Sequence, residues 1–155
     1  ETLSIRFGEP DVLFQVGSAD VASRFQDILS DFFPRYIRII ASDAYRENVE
    51  EIRIEGHTSS EWLINVTKND AYFFNMKLSQ DRTRSVLHFC LDLLSENERK
   101  IWVRSHITAN GLSSSQPILI AGGVEDLARS RRVEFRTRTN AEKKVVEIIQ
   151  EMEGM

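Results

Sequence analysis

Three histidines, His57, His88 and His106, are the first candidates for acid–base or metal chemistry, and their spacing speaks against both. No HExxH pairing or other short ligand spacing joins them, and one cysteine, Cys90, supplies neither a disulfide framework nor a cysteine-rich zinc site. Nucleophile elbows, Walker loops and dinucleotide glycine fingerprints are missing, and Gly122-Gly123 alone makes no phosphate cradle. Adjacent acids such as Glu50-Glu51 and Glu125-Asp126 read as solvated surface, with nothing to set two of them across a cleft. The sequence predicts a domain that binds without catalysis, with no cofactor and no metal site.

Two groups of residues remain that could recognise a ligand. Arg129, Arg131, Arg132, Arg136 and Arg138 form a basic cluster in which Arg132, Arg136 and Arg138 share one face of a strand. They could meet an anion, or pair with Glu134, Glu125 and Asp126. Interleaved aromatics are missing, and a net charge of -4 argues against nucleic acid as partner. The second group lies between Ile52 and Val86. A strand delivers Gly56-His57-Thr58 to its carboxyl end, a loop crosses, and a helix opens at Asn75 with Arg82 about two turns inside it. There a helix N-terminus and a guanidinium would together favour a carboxylate. The alternative is a structural ion pair of Arg82 with Asp81, Asp70 or Glu61.

The elements that must position these residues follow from periodicity. Val12–Val16 reads as a first strand, followed from Ala19 by a helix with Val21, Phe25, Ile28, Leu29 and Phe32 on one stripe. Pro34 is expected to interrupt or kink that helix before a stretch running toward Tyr45. Glu51–Glu55 alternates as a strand, residues 59–72 read as a long loop, and Asn75–Leu94 as the clearest helix. Ile101–Ile107 is a third strand candidate, Pro117–Ile120 a strand or ordered loop, Glu125–Arg131 a short helical turn, and Val133–Arg138 a final strand. From Ala141 a helix carries Val145, Val146, Ile148, Ile149 and Met152 on one side, a candidate surface for a homodimer or for packing onto its own sheet. Strands separated by helices predict an α+β two-layer sandwich with helices packed on one mixed sheet. The 155 residues fit a single domain, 1–155, with a core over about 12–138 and a terminal helix over about 141–153. No apolar run approaches the roughly 18 to 20 residues of a membrane span, so a membrane is expected to be met only through a parent segment outside this sequence. A start at Glu1 without Met leads to the expectation of a mature chain or an excised domain.

At these residues the sequence resembles the OmpA-like peptidoglycan-binding domain shared by OmpA, Pal lipoproteins and MotB-type proteins. Ile52-Arg53-Ile54-Glu55-Gly56-His57-Thr58 resembles the family's I-x-I-x-G-H-T-D strand, and Asn75-x-x-Leu78-Ser79-x-x-Arg82 with Val86 its N-x-x-L-S-x-x-R-A-x-x-V helix. Arg131-Arg132-Val133-Glu134 is similar to the N-R-R-V-E ending, Gly111 to Pro117-Ile118 to the G-x-G-x-x-x-P-I loop, and Phe14 with Gly17-Ser18-Ala19 to the family's first strand and helix start. The resemblance implies the order βαβαβ(α)β, a periplasmic location, and binding of the diaminopimelate residue of a peptidoglycan stem peptide. It further implies that Arg82 holds the diaminopimelate carboxylate, with Thr58 and Asn75 beside it. The family aspartate after G-H-T is replaced by Ser59, so affinity is expected to fall, or another acid, Asp70 or Glu61, to receive the ligand's ammonium group. The alternative is a diverged protein–protein or self-association module that no longer binds cell wall. Thr83, Ser113 and Ser130 are further departures, standing where the motifs have alanine, glycine and asparagine.

Overall fold

The computed structural model describes residues 2–8, 10–62 and 65–153. Its elements are β1 (Thr2–Phe7), α1 (Pro10–Leu13), α2 (Ser23–Ile40), β2 (Val49–His57), α3 (Lys68–Asp92), α4 (Glu98–His106), β3 (Ile107–Gly111), α5 (Leu127–Ser130), β4 (Arg132–Thr139) and α6 (Ala141–Glu153). The sheet order is β1-β4-β2-β3, with β2 and β3 parallel and the other pairs antiparallel. This is the α+β sandwich with one mixed sheet that the sequence predicts.

Alternation along the strands sends the two faces of the sheet to different surroundings. Ile52, Ile54, Val133 and Phe135 face the helices and are buried, and Phe25, Leu29, Phe33 and Ile37 of α2 join them in one core. Phe7, Phe32 and Tyr36 meet the Phe135 ring edge-on, and the Tyr36 hydroxyl hydrogen-bonds the Thr137 hydroxyl across the same interface. The opposite face carries charges in register: Glu51 opposite Arg138, Arg53 opposite Arg136, Glu55 opposite Glu134 and His57 opposite Arg132. Its charges pair on the sheet, Arg136 with Glu55 at 3.4 Å and Arg138 with Glu50 at 3.0 Å. The basic strand face is therefore largely neutralised by neighbouring acids.

Four sequence expectations need correction. The first strand is Thr2–Phe7, where Leu3, Ile5 and Phe7 alternate with Ser4 and Arg6; Val12 and Leu13 belong to a helical turn, and Phe14 makes only an isolated bridge with Val21. Helix α2 runs unbroken through Pro34. An interior proline costs about 3 kcal/mol. The fully buried Phe25, Leu29, Phe33 and Ile37 each return about 1.5–3 kcal/mol, so the packed helix wins. Residues 101–106, expected as a strand, are helical, because Asn97 accepts from the amides of Arg99 and Lys100 and starts α4. Helix α3 begins at Lys68, seven residues before Asn75: Thr67 caps it by accepting from the Asp70 amide at 3.0 Å. The long loop shrinks accordingly, and Leu63-Ile64 within it lie outside the described residues. Residues 117–120 form no strand beyond a single bridge of Leu119 with Glu125, and the final strand, the short turn and the terminal helix lie where periodicity sets them.

Two glycines let α3 lie close against the sheet. A Cβ on Gly111 would stand 2.7 Å from the Gln80 Cα, and one on Gly56 would stand 2.7 Å from the Thr83 Cγ2. Among the described residues, no helix is long and apolar enough to cross a membrane.

Candidate functional site

A cleft of about 460 Å³ opens at the carboxyl end of β2. Gly56, Thr58 and Ser59 come from that strand end, Arg131 to Val133 from the start of β4, Asn75, Leu78 and Arg82 from α3, and Asp11 to Gly17 from the segment after β1. Four of the five expected site residues, Thr58, Ser59, Asn75 and Arg82, meet here, and Glu61 joins them. Asp70 does not line the cleft. It sits exposed in the first turn of α3, where its carboxylate receives the Thr67 hydroxyl at 2.7 Å. Because α3 starts at Lys68, Asn75 and Arg82 lie on its flank and the helix N-terminus plays no part at the cleft.

Asn75, Ser79, Thr83, Val86 and Cys90 recur at three and four residues along the buried stripe of α3. The Asn75 amide donates to the carbonyls of Ser59 and Glu61, both at 3.2 Å, and so fixes the chain leaving β2. Ser113, in place of the family glycine, adopts φ +54, a left-handed conformation that costs a non-glycine residue roughly 1–2 kcal/mol. Three hydrogen bonds hold it: its carbonyl accepts from the Thr58 amide, its amide donates to the Ser79 hydroxyl, and its own hydroxyl donates to the Tyr72 carbonyl. Ser130, in place of the asparagine, accepts from the Ile118 amide at 2.9 Å.

Arg82 is the main cation of the cleft. Its Nε donates to the Ser18 carbonyl at 2.8 Å, its Nη2 to the Gln15 carbonyl at 3.2 Å, and the guanidinium lies 4.8 Å from the centre of the Phe14 ring. Burial, helped by the positive field of Arg131, pulls its pKa down to about 10, so it stays charged at neutral pH but poorly solvated. Its expected structural partners are engaged elsewhere or unpaired with it. Asp81 binds Lys77 and Arg84, Asp70 caps α3, and no acid among the described residues forms an ion pair with Arg82. Thr58 also lines the cleft, and its hydroxyl is buried without a hydrogen-bond partner.

Behind the cleft, Glu55, His57 and Glu134 form a buried group whose ligand-type atoms lie within 4.8 Å of one another. Arg132 donates to Glu134 at 2.5 Å, Arg6 at 3.1 Å, and Arg136 reaches Glu55, so three guanidiniums already balance two carboxylates. A metal cation would enter a field that is positive before it arrives. Burial would raise the pKa of Glu134, but hydrogen bonds from Arg132 and Ser4 and the arginine charges outweigh it and hold the value at about 2. Burial, with the field of Arg132, pushes His57 down to about 4, so its ring is neutral here. His88 is exposed beside Asp92, and His106, expected in a strand, ends α4 stacked on Trp102.

Asp11 and Trp62 line the cleft without any sequence signal that pointed to them, and Arg131 was legible as part of a basic run and of the N-R-R-V-E resemblance but not as a cleft residue. The surviving signal is order along the chain: residues just after the Gly56-His57 end of β2 gather at that strand's carboxyl end.

No family model matches the chain. It is similar to the Zorya protein ZorB of Escherichia coli, 48% identical over 151 residues that make up 97% of this chain and 63% of that protein. The chain thus spans less than two thirds of the length of the curated relative it matches. Among solved structures it is similar to a MotB-like protein from Desulfovibrio vulgaris, with 26% identity and a TM-score of 0.63 over 89% of this chain and 76% of that one. It is also similar to the cell wall anchor of the T6SS from Pseudomonas aeruginosa, with 26% identity and a TM-score of 0.54 over 89% and 80% of the two chains.

Proposed function

From the OmpA-like fold that the chain carries, we propose that this domain binds the peptidoglycan stem peptide through the carboxylate of its diaminopimelate residue. In doing so it anchors an envelope or stator-like membrane protein to the cell wall on the periplasmic side, acting by binding alone. The observation that carries the reading is Arg82: held by two carbonyls and a ring, poorly solvated, and without an acid partner among the described residues. A guanidinium in that state gains most from a carboxylate, which it can grip through two parallel hydrogen bonds. Thr58 offers its unpaired hydroxyl to the same ligand, while Asn75 and Ser59 shape the wall. The anchoring named for the T6SS protein supports the same role.

Cosedimentation with purified sacculi tests this. The wild-type domain is expected to pellet with them, and Arg82→Ala to lose about tenfold or more in affinity, the worth of a charge-assisted bond. Retention unchanged by Arg82→Ala, or no retention of the wild type, overturns the reading.

A second reading has its own observation. Val145, Val146, Ile148, Ile149 and Met152 stand 48–66% exposed on α6, an apolar stripe that fits self-association into a homodimer. Sedimentation equilibrium before and after Ile148→Lys separates a dimer held by this stripe from a monomer.

A further inference from the structure

The cleft wall after β2 hangs from two tethers, and one of them runs through a residue outside the cleft. The register of β2 with β3 ends at Gly56 opposite Gly111, yet the chains stay joined beyond it: the Leu112 amide donates to the Gly56 carbonyl and the Thr58 amide to the Ser113 carbonyl, both at 2.9 Å. Ser113 is in turn fixed on α3, its amide donating to the Ser79 hydroxyl at 3.1 Å and its hydroxyl to the Tyr72 carbonyl at 2.6 Å. The second tether is Asn75, which lies between those two residues on α3 and donates to the carbonyls of Ser59 and Glu61. Ser113 itself is fully buried and does not line the cleft.

We propose that Ser113 is a positioning residue of this site: without touching the ligand, it fixes the backbone at Thr58 and so the place from which the Thr58 hydroxyl meets a bound carboxylate. This rests on the cell-wall reading above and adds to it a residue that acts through another. Two unfavourable features point to a function for the tether. At φ +54 a serine is strained where glycine would not be, and glycine would keep both backbone hydrogen bonds; the side chain adds only the bond to Tyr72. The Thr58 hydroxyl, buried without a partner, is the second, since a mobile segment would turn it toward water or a carbonyl. Backbone strain beside an unsatisfied polar group is what a pre-organised site retains for its ligand.

The test is a double-mutant cycle on purified sacculi: wild type, Ser113→Gly, Thr58→Val and the pair, with Arg82→Ala alongside. Ser113→Gly is expected to fold with its urea midpoint little changed, because relief of the left-handed serine offsets the lost hydrogen bond, and to bind about fivefold more weakly. Thr58→Val is expected to weaken binding by a similar factor, and adding Ser113→Gly to it to weaken binding no further, since both act through one hydroxyl. Ser113→Gly or Thr58→Val binding like the wild type, or the two losses multiplying in the pair, overturns the inference. Amide hydrogen exchange in the ligand-free domain gives a second measurement: Ser113→Gly should speed exchange at Thr58 about tenfold, and an unchanged rate overturns the inference. If these fail while Arg82→Ala still weakens binding, the cell-wall reading stands alone. A wild type that is not retained, or Arg82→Ala binding like the wild type, removes both.

Discussion

Acidification should weaken the fold through one buried ring. His57 has a side chain 1% exposed, its two ring nitrogens have no hydrogen-bond partner, and burial with the Arg132 field lowers its pKa to about 4 from 6.5. The unfolded chain takes up a proton as pH falls through about 6.5, while the folded chain resists until about 4, so stability is lost within that window. The full difference corresponds to about 3 kcal/mol, of which about 2 kcal/mol is lost between pH 7.5 and pH 5. Over this range Glu134, held near 2 when folded, remains ionised in both states and adds little. Urea unfolding of the wild type and of His57→Gln at several pH values within that range reads the effect directly, because glutamine cannot titrate. The wild type should lose about 2 kcal/mol more than the variant on going from pH 7.5 to pH 5. Parallel pH profiles for the two proteins would refute the reasoning, and with it the picture of a ring kept neutral by burial and by the neighbouring arginine charges.

Gly111→Ala should destabilise the domain by about 3 kcal/mol, the upper range of overpacking, because the new methyl meets the Gln80 backbone rather than a movable side chain; the urea midpoint reads it. Gly56→Ala should be partly rescued by Thr83→Ala, since the clash at 2.7 Å is with the Thr83 methyl, and a double-mutant cycle should show coupling of about 0.5 kcal/mol or more. Thr58→Val should leave the unfolding midpoint unchanged or raised, because the hydroxyl has no partner, yet reduce retention on sacculi if a ligand uses that hydroxyl. Ser59→Asp should tighten binding by restoring an acid at the end of β2, measured by the same cosedimentation.

The charged-apolar alternation of Glu51–Glu55 and Val133–Arg138 made the central strands legible, since a half-buried strand leaves a period of two in its sequence. The same signal was present in Leu3-Ser4-Ile5-Arg6-Phe7, but the apolar run Val12–Val16 competes with it and only pairing with β4 decides between them. Residues 101–103, Ile-Trp-Val, carry strand propensity that the Asn97 cap overrides. At the site, Arg82, Thr58, Asn75 and Ser59 were within reach because the family motifs they resemble fall just after β2 and on α3. Asp11 was not, since its position depends on how the segment after β1 folds back under Arg82, a long-range contact that no local pattern encodes. The replaced motif residues Ser113 and Ser130 became intelligible only through the partners of their hydroxyls.

The central claim is that the Arg82 cleft is where cell wall is bound. Titrating isotopically labelled domain with a soluble muropeptide that carries diaminopimelate, and following each amide and arginine side-chain resonance, tests it most directly. The account predicts shifts concentrated at Gly17, Thr58, Asn75 and the Arg82 Nε, abolished by Arg82→Ala. Shifts confined to α6 or the outer sheet face, or none at saturating muropeptide, would contradict it.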